Sequence, residues 1–120
     1  MPRIREKRQA SRIEPFVIPC RVVHRARRVA GHLVDLSVQG ARIASEEDLP
    51  KAGSLITLEA RFGASVAHTR LPGQVKWVRK AEAPLRGHVA GVTFRGMTDR
   101  QQLAVEFVLF EFRRRAAALS

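Results

Sequence analysis

From Phe16 onward, apolar and polar residues alternate in short runs bounded by turn residues. A period of two puts one face of a segment in a core and the other in solvent, so the pattern predicts β-strands. The runs predict strands over Phe16–Val23, Arg28–Leu36, Gly40–Ala44, Ser54–Arg61 and His88–Phe94. Between the last two, strand material around Val66–Arg70 and Gln74–Arg79 is expected as two pieces separated by a bend at Pro72-Gly73. The alternation is plainest in Ser54–Arg61, where Leu55, Thr57 and Glu59 oppose Ile56, Leu58 and Ala60. Pro19 lacks the amide proton of a central ladder and predicts an edge or a bulge for the first strand. Ser45–Gly53, Phe62–Ser65 and Lys80–Gly87 read as loops or turns.

After Phe94 the period changes. Thr98 and Gln101 have the spacing of a capping box, in which each side chain bonds the other residue's backbone amide. Leu103, Phe107 and Phe110 follow at helical spacing, and Val108 and Phe112 widen the apolar face. Phe107, Phe110 and Phe112 are therefore expected to anchor a helix of about residues 99–117 on the core. Arg113, Arg114 and Arg115 are expected near its C-terminus, where cations favour the helix dipole. Several short strands and one terminal helix predict an all-β fold, an antiparallel β-barrel packed by a C-terminal α-helix.

Length and charge refine the picture. A chain of 120 residues suggests one domain, long enough to bury a core without disulfides. Its net charge of +11 implies a polyanionic partner without choosing among nucleic acid, anionic membrane and phosphorylated small molecules. Residues 1–28 hold nine basic and two acidic side chains, so most of that charge lies in the N-terminal quarter. Residues 1–12 show no period and few apolar side chains, and are expected to form a flexible basic arm ahead of a barrel domain over residues 13–120. No apolar run reaches the length of a membrane span, and the charged N-terminus lacks the apolar centre of a signal peptide, so a cytoplasmic protein is expected.

Chemistry concentrates in two motifs. Arg8 and Arg12 stand four apart in the arm, and a guanidinium grips phosphate through paired hydrogen bonds while its flat face stacks on a purine. Asp35-Leu36-Ser37-Val38-Gln39-Gly40 lies between two expected strands. Its carboxylate matches the N1–H and 2-amino edge of guanine, Ser37 adds a small donor and acceptor, and Gly40 permits φ > 0 and close backbone approach. The same six residues also make a plausible turn, with Asp35 and Ser37 bonding their own backbone.

Arg-x-x-x-Arg followed about two dozen residues later by Asp-x-Ser-x-x-Gly resembles the PilZ domain family. The likeness continues in Gly73-Gln74-Val75-Lys76-Trp77-Val78-Arg79, in Gly91-Val92-Thr93-Phe94 and in the helix that follows. The resemblance implies a six-stranded antiparallel barrel with a terminal helix and a ligand, the bacterial second messenger cyclic di-GMP. It implies that Arg8 and Arg12 take the phosphates and stack on guanine, that Asp35 and Ser37 read the ligand, and that Gly40 holds the turn open. Lys7, by the same resemblance, favours a stacked ligand dimer. Trp77 could lend an aromatic face or pack the barrel, and Arg42 and Arg79 are candidate auxiliary cations.

Other chemistries lack support. His24, His32, His68 and His88 are scattered without metal-ligand spacing, Cys20 reads as a small buried hydrophobe, and no nucleophile–base pair or phosphate-binding glycine loop stands out. The expectation is a binding module with no cofactor and no enzymatic activity, signalling to an unidentified protein partner. Two alternatives stand beside it. One is a basic barrel for RNA or DNA, which the absence of tyrosine and the single tryptophan argue against. The other is a PilZ-type interaction adaptor with little nucleotide affinity, which the complete motifs argue against.

Overall fold

The computed structural model describes residues 18–60, 69–84 and 86–119. Six strands, β1 (Ile18–His24), β2 (Arg27–Leu36), β3 (Gly40–Ser45), β4 (Leu55–Ala60), β5 (Thr69–Lys80) and β6 (His88–Phe94), precede one helix, α1 (Asp99–Leu119). All pairings are antiparallel, and the order β1-β2-β3-β6-β5-β4 closes through β1 and β4 into a barrel. The expected barrel and terminal helix are what the chain forms. The proposed turn at Phe62–Ser65, the Val66–His68 part of the fifth-strand region and residues 1–17 lie outside the described residues.

One expectation is corrected. Val66–Arg70 and Gln74–Arg79 were expected as separate pieces, yet residues 69–80 form one continuous strand through Pro72-Gly73. The sequence carries a proline there because β5 changes neighbours: Thr69–Gln74 pairs with β4, and pairing with β6 starts only at Gly73. Pro72 therefore stands where only β4 is a ladder neighbour. Gly73 sits at the crossing, where an added Cβ would come within 2.7 Å of Val92 Cγ1. Pro19 has the same placement on β1, paired with His32 but ahead of the β4 ladder that begins at Cys20.

Inward residues fill the barrel at period two: Ile18, Cys20 and Val22 on β1, Ile56, Leu58 and Ala60 on β4, Ala90 and Val92 on β6. The Cys20 thiol is pushed up to about 12 by burial, the behaviour of a small core side chain. Two strands break the period. On β2 the buried positions run Val29, Leu33 and then Leu36, and the register with β3 shifts between Leu33 and Asp35. On β5 they run Thr69, Leu71, Gly73, Val75, with Val78 packed on the core and a shift against β6 between Val75 and Trp77. An extra residue in one strand reverses which face each later side chain takes. Without these bulges Asp35 and Trp77 would continue the inward series; with them, both turn out of the core.

The helix starts as expected. Thr98 Oγ1 accepts from Gln101 N at 3.1 Å, and Gln101 Oε1 accepts from Thr98 N at 2.8 Å. Gln101 Nε2 also donates to Arg70 O at 2.7 Å, tying the first turn to β5. The buried face differs from the expected one. Val105, Val108, Leu109 and Phe112 join the core, whereas Leu103, Phe107 and Phe110 are 63%, 42% and 61% exposed. The helix is apolar on two opposite sides, and of the three phenylalanines only Phe112 is an anchor. It also runs on to Leu119, which leaves Arg113 and Arg114 a turn short of its C-terminus.

Candidate functional site

The bulges open a groove on the outer face of the sheet. Cross-strand register aligns Asp35 with Arg42, Arg42 with Gly91 and Gly91 with Trp77, one row across β2, β3, β6 and β5. All four residues line a cavity of about 970 Å³, together with the Leu36–Ala41 turn, Lys76, Val92, Thr93, Phe94, Met97 and Gln102. That volume lies at the upper end of small-molecule sites and leaves room for a ligand larger than a mononucleotide.

Each member of the row has a local reason for its position. Arg42 Nε donates to Asp35 Oδ2 at 2.7 Å, a charge-assisted bond between directly opposed strand residues. Gly91 leaves space for the indole: a Cβ there would lie 2.4 Å from Trp77 Cε2 and Nε1. The ring therefore lies over the β6 backbone beside Arg42. Its other neighbour is Arg79, whose Cζ is 4.9 Å from the ring centroid, within cation–π range. The row runs from a carboxylate through a guanidinium to an aromatic ring, with Lys76 adding a second cation at the rim.

The β2–β3 turn sets the groove's edge. Ser37 N donates to Gly40 O at 2.8 Å, while Gln39 N and Gly40 N point to Ser37 Oγ at 3.2 and 3.3 Å. Ser37 thus holds the turn through its own backbone, the second of the two roles its sequence allows. Gly40 also takes one of its two expected roles. It is not among the residues of positive φ, which corrects that half of the expectation, but a Cβ would lie 2.1 Å from Val92 O. Glycine here permits close approach of β3 to β6.

Of the expected site residues, Asp35, Ser37, Gly40, Arg42 and Trp77 come together at the groove. Arg79 braces Trp77 and is not among the lining residues. Arg8, Arg12 and Lys7 lie outside the described residues. Sequence reasoning missed Lys76, Thr93, Met97 and Gln102. Lys76 and Thr93 had a signal, since each lies in a segment that carries the family likeness, whereas Met97 and Gln102 had none. Among the described residues no group of three metal-ligating side chains occurs, and no helix is long and apolar enough to cross a membrane.

Comparison with known proteins agrees with this architecture. The PilZ domain family model matches residues 6–111. The fold is similar to the PilZ domain of YcgR from Escherichia coli, solved with cyclic di-GMP, at a TM-score of 0.69 and 17% identity over 86% of this chain and 88% of that one. It is also similar to MrkH from K. pneumonia in its apo state (TM-score 0.73, 15% identity, 89% of this chain and 51% of that one). YcgR in complex with cyclic di-GMP matches at a TM-score of 0.70 and 16% identity, over 88% of this chain and 45% of that one. The chain thus spans about half of the last two. No curated protein sequence matches it.

Proposed function

The chain belongs to the PilZ domain family, a family of cyclic di-GMP receptors, and from that premise we propose that this protein is itself a cytoplasmic receptor for cyclic di-GMP. The observation that carries the reading is the row Asp35–Arg42–Gly91–Trp77 beside the Ser37–Gly40 turn. Asp35 supplies an acceptor for guanine's donor edge, Arg42 and Lys76 supply positive charge, and Trp77 supplies a face on which a base stacks. Arg8 and Arg12 bring the missing phosphate ligands from the N-terminal arm, which the ligand orders across the barrel. Ordering a segment on a preformed floor converts nucleotide concentration into a new surface for a partner protein. The protein binds and signals and turns nothing over.

Calorimetric titration with cyclic di-GMP, cyclic di-AMP and GTP tests the reading. The expected result is saturable binding of cyclic di-GMP with a strong preference for guanine. Arg12→Ala removes charge-assisted bonds to phosphate and weakens binding by about 30-fold or more, roughly 2 kcal/mol. Equal affinity for cyclic di-AMP overturns guanine recognition at Asp35. RNA or DNA binding that persists at physiological salt, with no response to cyclic di-GMP, replaces this reading with nucleic-acid binding.

A further inference from the structure

The side of α1 turned away from the core is itself apolar. Leu103, Phe107 and Phe110 are exposed, while Val105, Val108, Leu109 and Phe112 bury the opposite side. An ordinary surface helix has one apolar stripe and one polar face. The outer stripe continues through Arg114 and Ala117, so its members recur at intervals of four, three, four and three residues. That alternation matches the spacing of the a and d positions in the seam of a two-helix coiled coil. Arg114 fits such a seam because it already donates to Glu111 Oε1 at 2.8 Å, which offsets its charge and leaves its aliphatic stem to cover apolar surface.

We propose that this stripe is a homodimerisation surface, on which α1 of a second copy packs antiparallel. The charges beside the seam select both the occupant and its direction. In an antiparallel pair with Phe107 opposite the second copy's Phe110, Leu103 meets Arg114, and Glu106 of each helix flanks Arg113 of the other. Both salt bridges are complementary, and the four central aromatic rings stack in two adjacent layers. A parallel pair would set Glu106 against Glu111 and Arg114 against its own copy, both repulsive. The 21 residues of α1 give a helix about 31 Å long, enough for the whole seam. The surface does not involve the row that carries the ligand reading, so the two stand or fall separately.

Sedimentation equilibrium of the full chain without nucleotide, at roughly 150 mM salt where the net charge is screened beyond about 8 Å, tests the proposal. A reversible monomer–dimer equilibrium is expected in the micromolar range, as suits a small interface. Phe107→Glu raises the dimer dissociation constant by at least about 10-fold, because buried aromatic anchors dominate such contacts. Circular dichroism of the same variant shows an unchanged helix, since Phe107 is not a core residue. Glu106→Arg and Arg113→Glu each weaken self-association, and an equimolar mixture of the two variants restores it as a heterodimer. A chain that stays monomeric to millimolar concentration overturns the proposal. So does a dimer indifferent to Phe107→Glu, or a charge-exchanged mixture that associates no better than its components.

Discussion

Two carboxylates of this barrel each pair with arginine from another strand, and only one of them lines the groove. Glu59 on β4 is 5% exposed and engages Arg28 through Oε1 at 3.4 Å and Arg70 through Oε2 at 3.3 Å. Asp35 receives Arg42 through Oδ2 at 2.7 Å. Arg28 and Asp35 sit seven residues apart on β2, about 23 Å along the strand, so the clusters occupy opposite ends of the barrel. The chemistry of the pairs is alike; the surrounding backbone is not. Around Glu59 the register is regular, and Arg70 is its direct cross-strand partner. Around Asp35 the register slips, the strand turns its polar side outward, and a second slip on β5 turns Trp77 onto the same face. A carboxylate–guanidinium pair lines a groove here only where a bulge opens the sheet beside it.

Substitutions at the two carboxylates should separate these roles. Asp35→Ala removes the proposed guanine acceptor and the anchor of Arg42, and is expected to weaken cyclic di-GMP binding by roughly 30-fold, about 2 kcal/mol. It should also narrow the preference over cyclic di-AMP, as read by calorimetry. Gly91→Ala acts on the same row without touching a polar group. Its Cβ would overlap the indole, so the ring must leave the groove floor. Affinity is expected to fall about 10-fold, or 1.4 kcal/mol. Trp77 is the only tryptophan, so a shift in intrinsic fluorescence of the free protein should accompany the loss. An affinity unchanged by Gly91→Ala would separate Trp77 from ligand binding.

Glu59→Gln provides the contrast. Both arginine side chains are more than half exposed, so water screens the pairs and the loss is expected near 1 kcal/mol. Denaturant unfolding should record that cost while nucleotide affinity stays within about twofold. A Glu59 variant that lost the nucleotide would couple the two ends of the barrel and break the comparison.

Legibility in the sequence followed the range of the interactions. The capping box at Thr98 and Gln101 and the β2–β3 turn are local, and their residues declare themselves within a few positions. The strands of the barrel were visible because a core demands period two. Pro72-Gly73 misled because a proline signals a missing ladder neighbour, and the sequence does not say whether the strand stops or merely changes partner. Leu103, Phe107 and Phe110 misled for a related reason: a helix apolar on two sides offers two equally periodic stripes, and tertiary packing chose the other. The Asp35–Arg42–Gly91–Trp77 row was hidden as a row, since its alignment depends on two bulges that alter register across four strands. Asp35 and Trp77 could be singled out individually; their juxtaposition could not.

The last expected effect tests the regular end of the barrel through pH. Cys20 pairs with Ala60, the neighbour of Glu59, and its thiol is raised by burial to about 12 from an ordinary value of 9.0. The folded chain therefore keeps this proton between about pH 9 and 12, where the unfolded chain releases it. With fewer protons bound in the unfolded state, stability must fall as pH rises through this window, by up to about 1.4 kcal/mol per pH unit. Tyrosine, the usual competing titration, is absent from the sequence, and Lys51, Lys76 and Lys80 are exposed. Cys20→Ala lowers stability at pH 7 by leaving a small cavity, yet it should flatten the decline measured by denaturant unfolding between pH 9 and 10.5. Iodoacetamide should label the native thiol at pH 8.5 far more slowly than the unfolded chain. Rapid native labelling, or an alkaline slope unchanged by Cys20→Ala, would show that the barrel opens at β1 and that its regular end is no more closed than the groove.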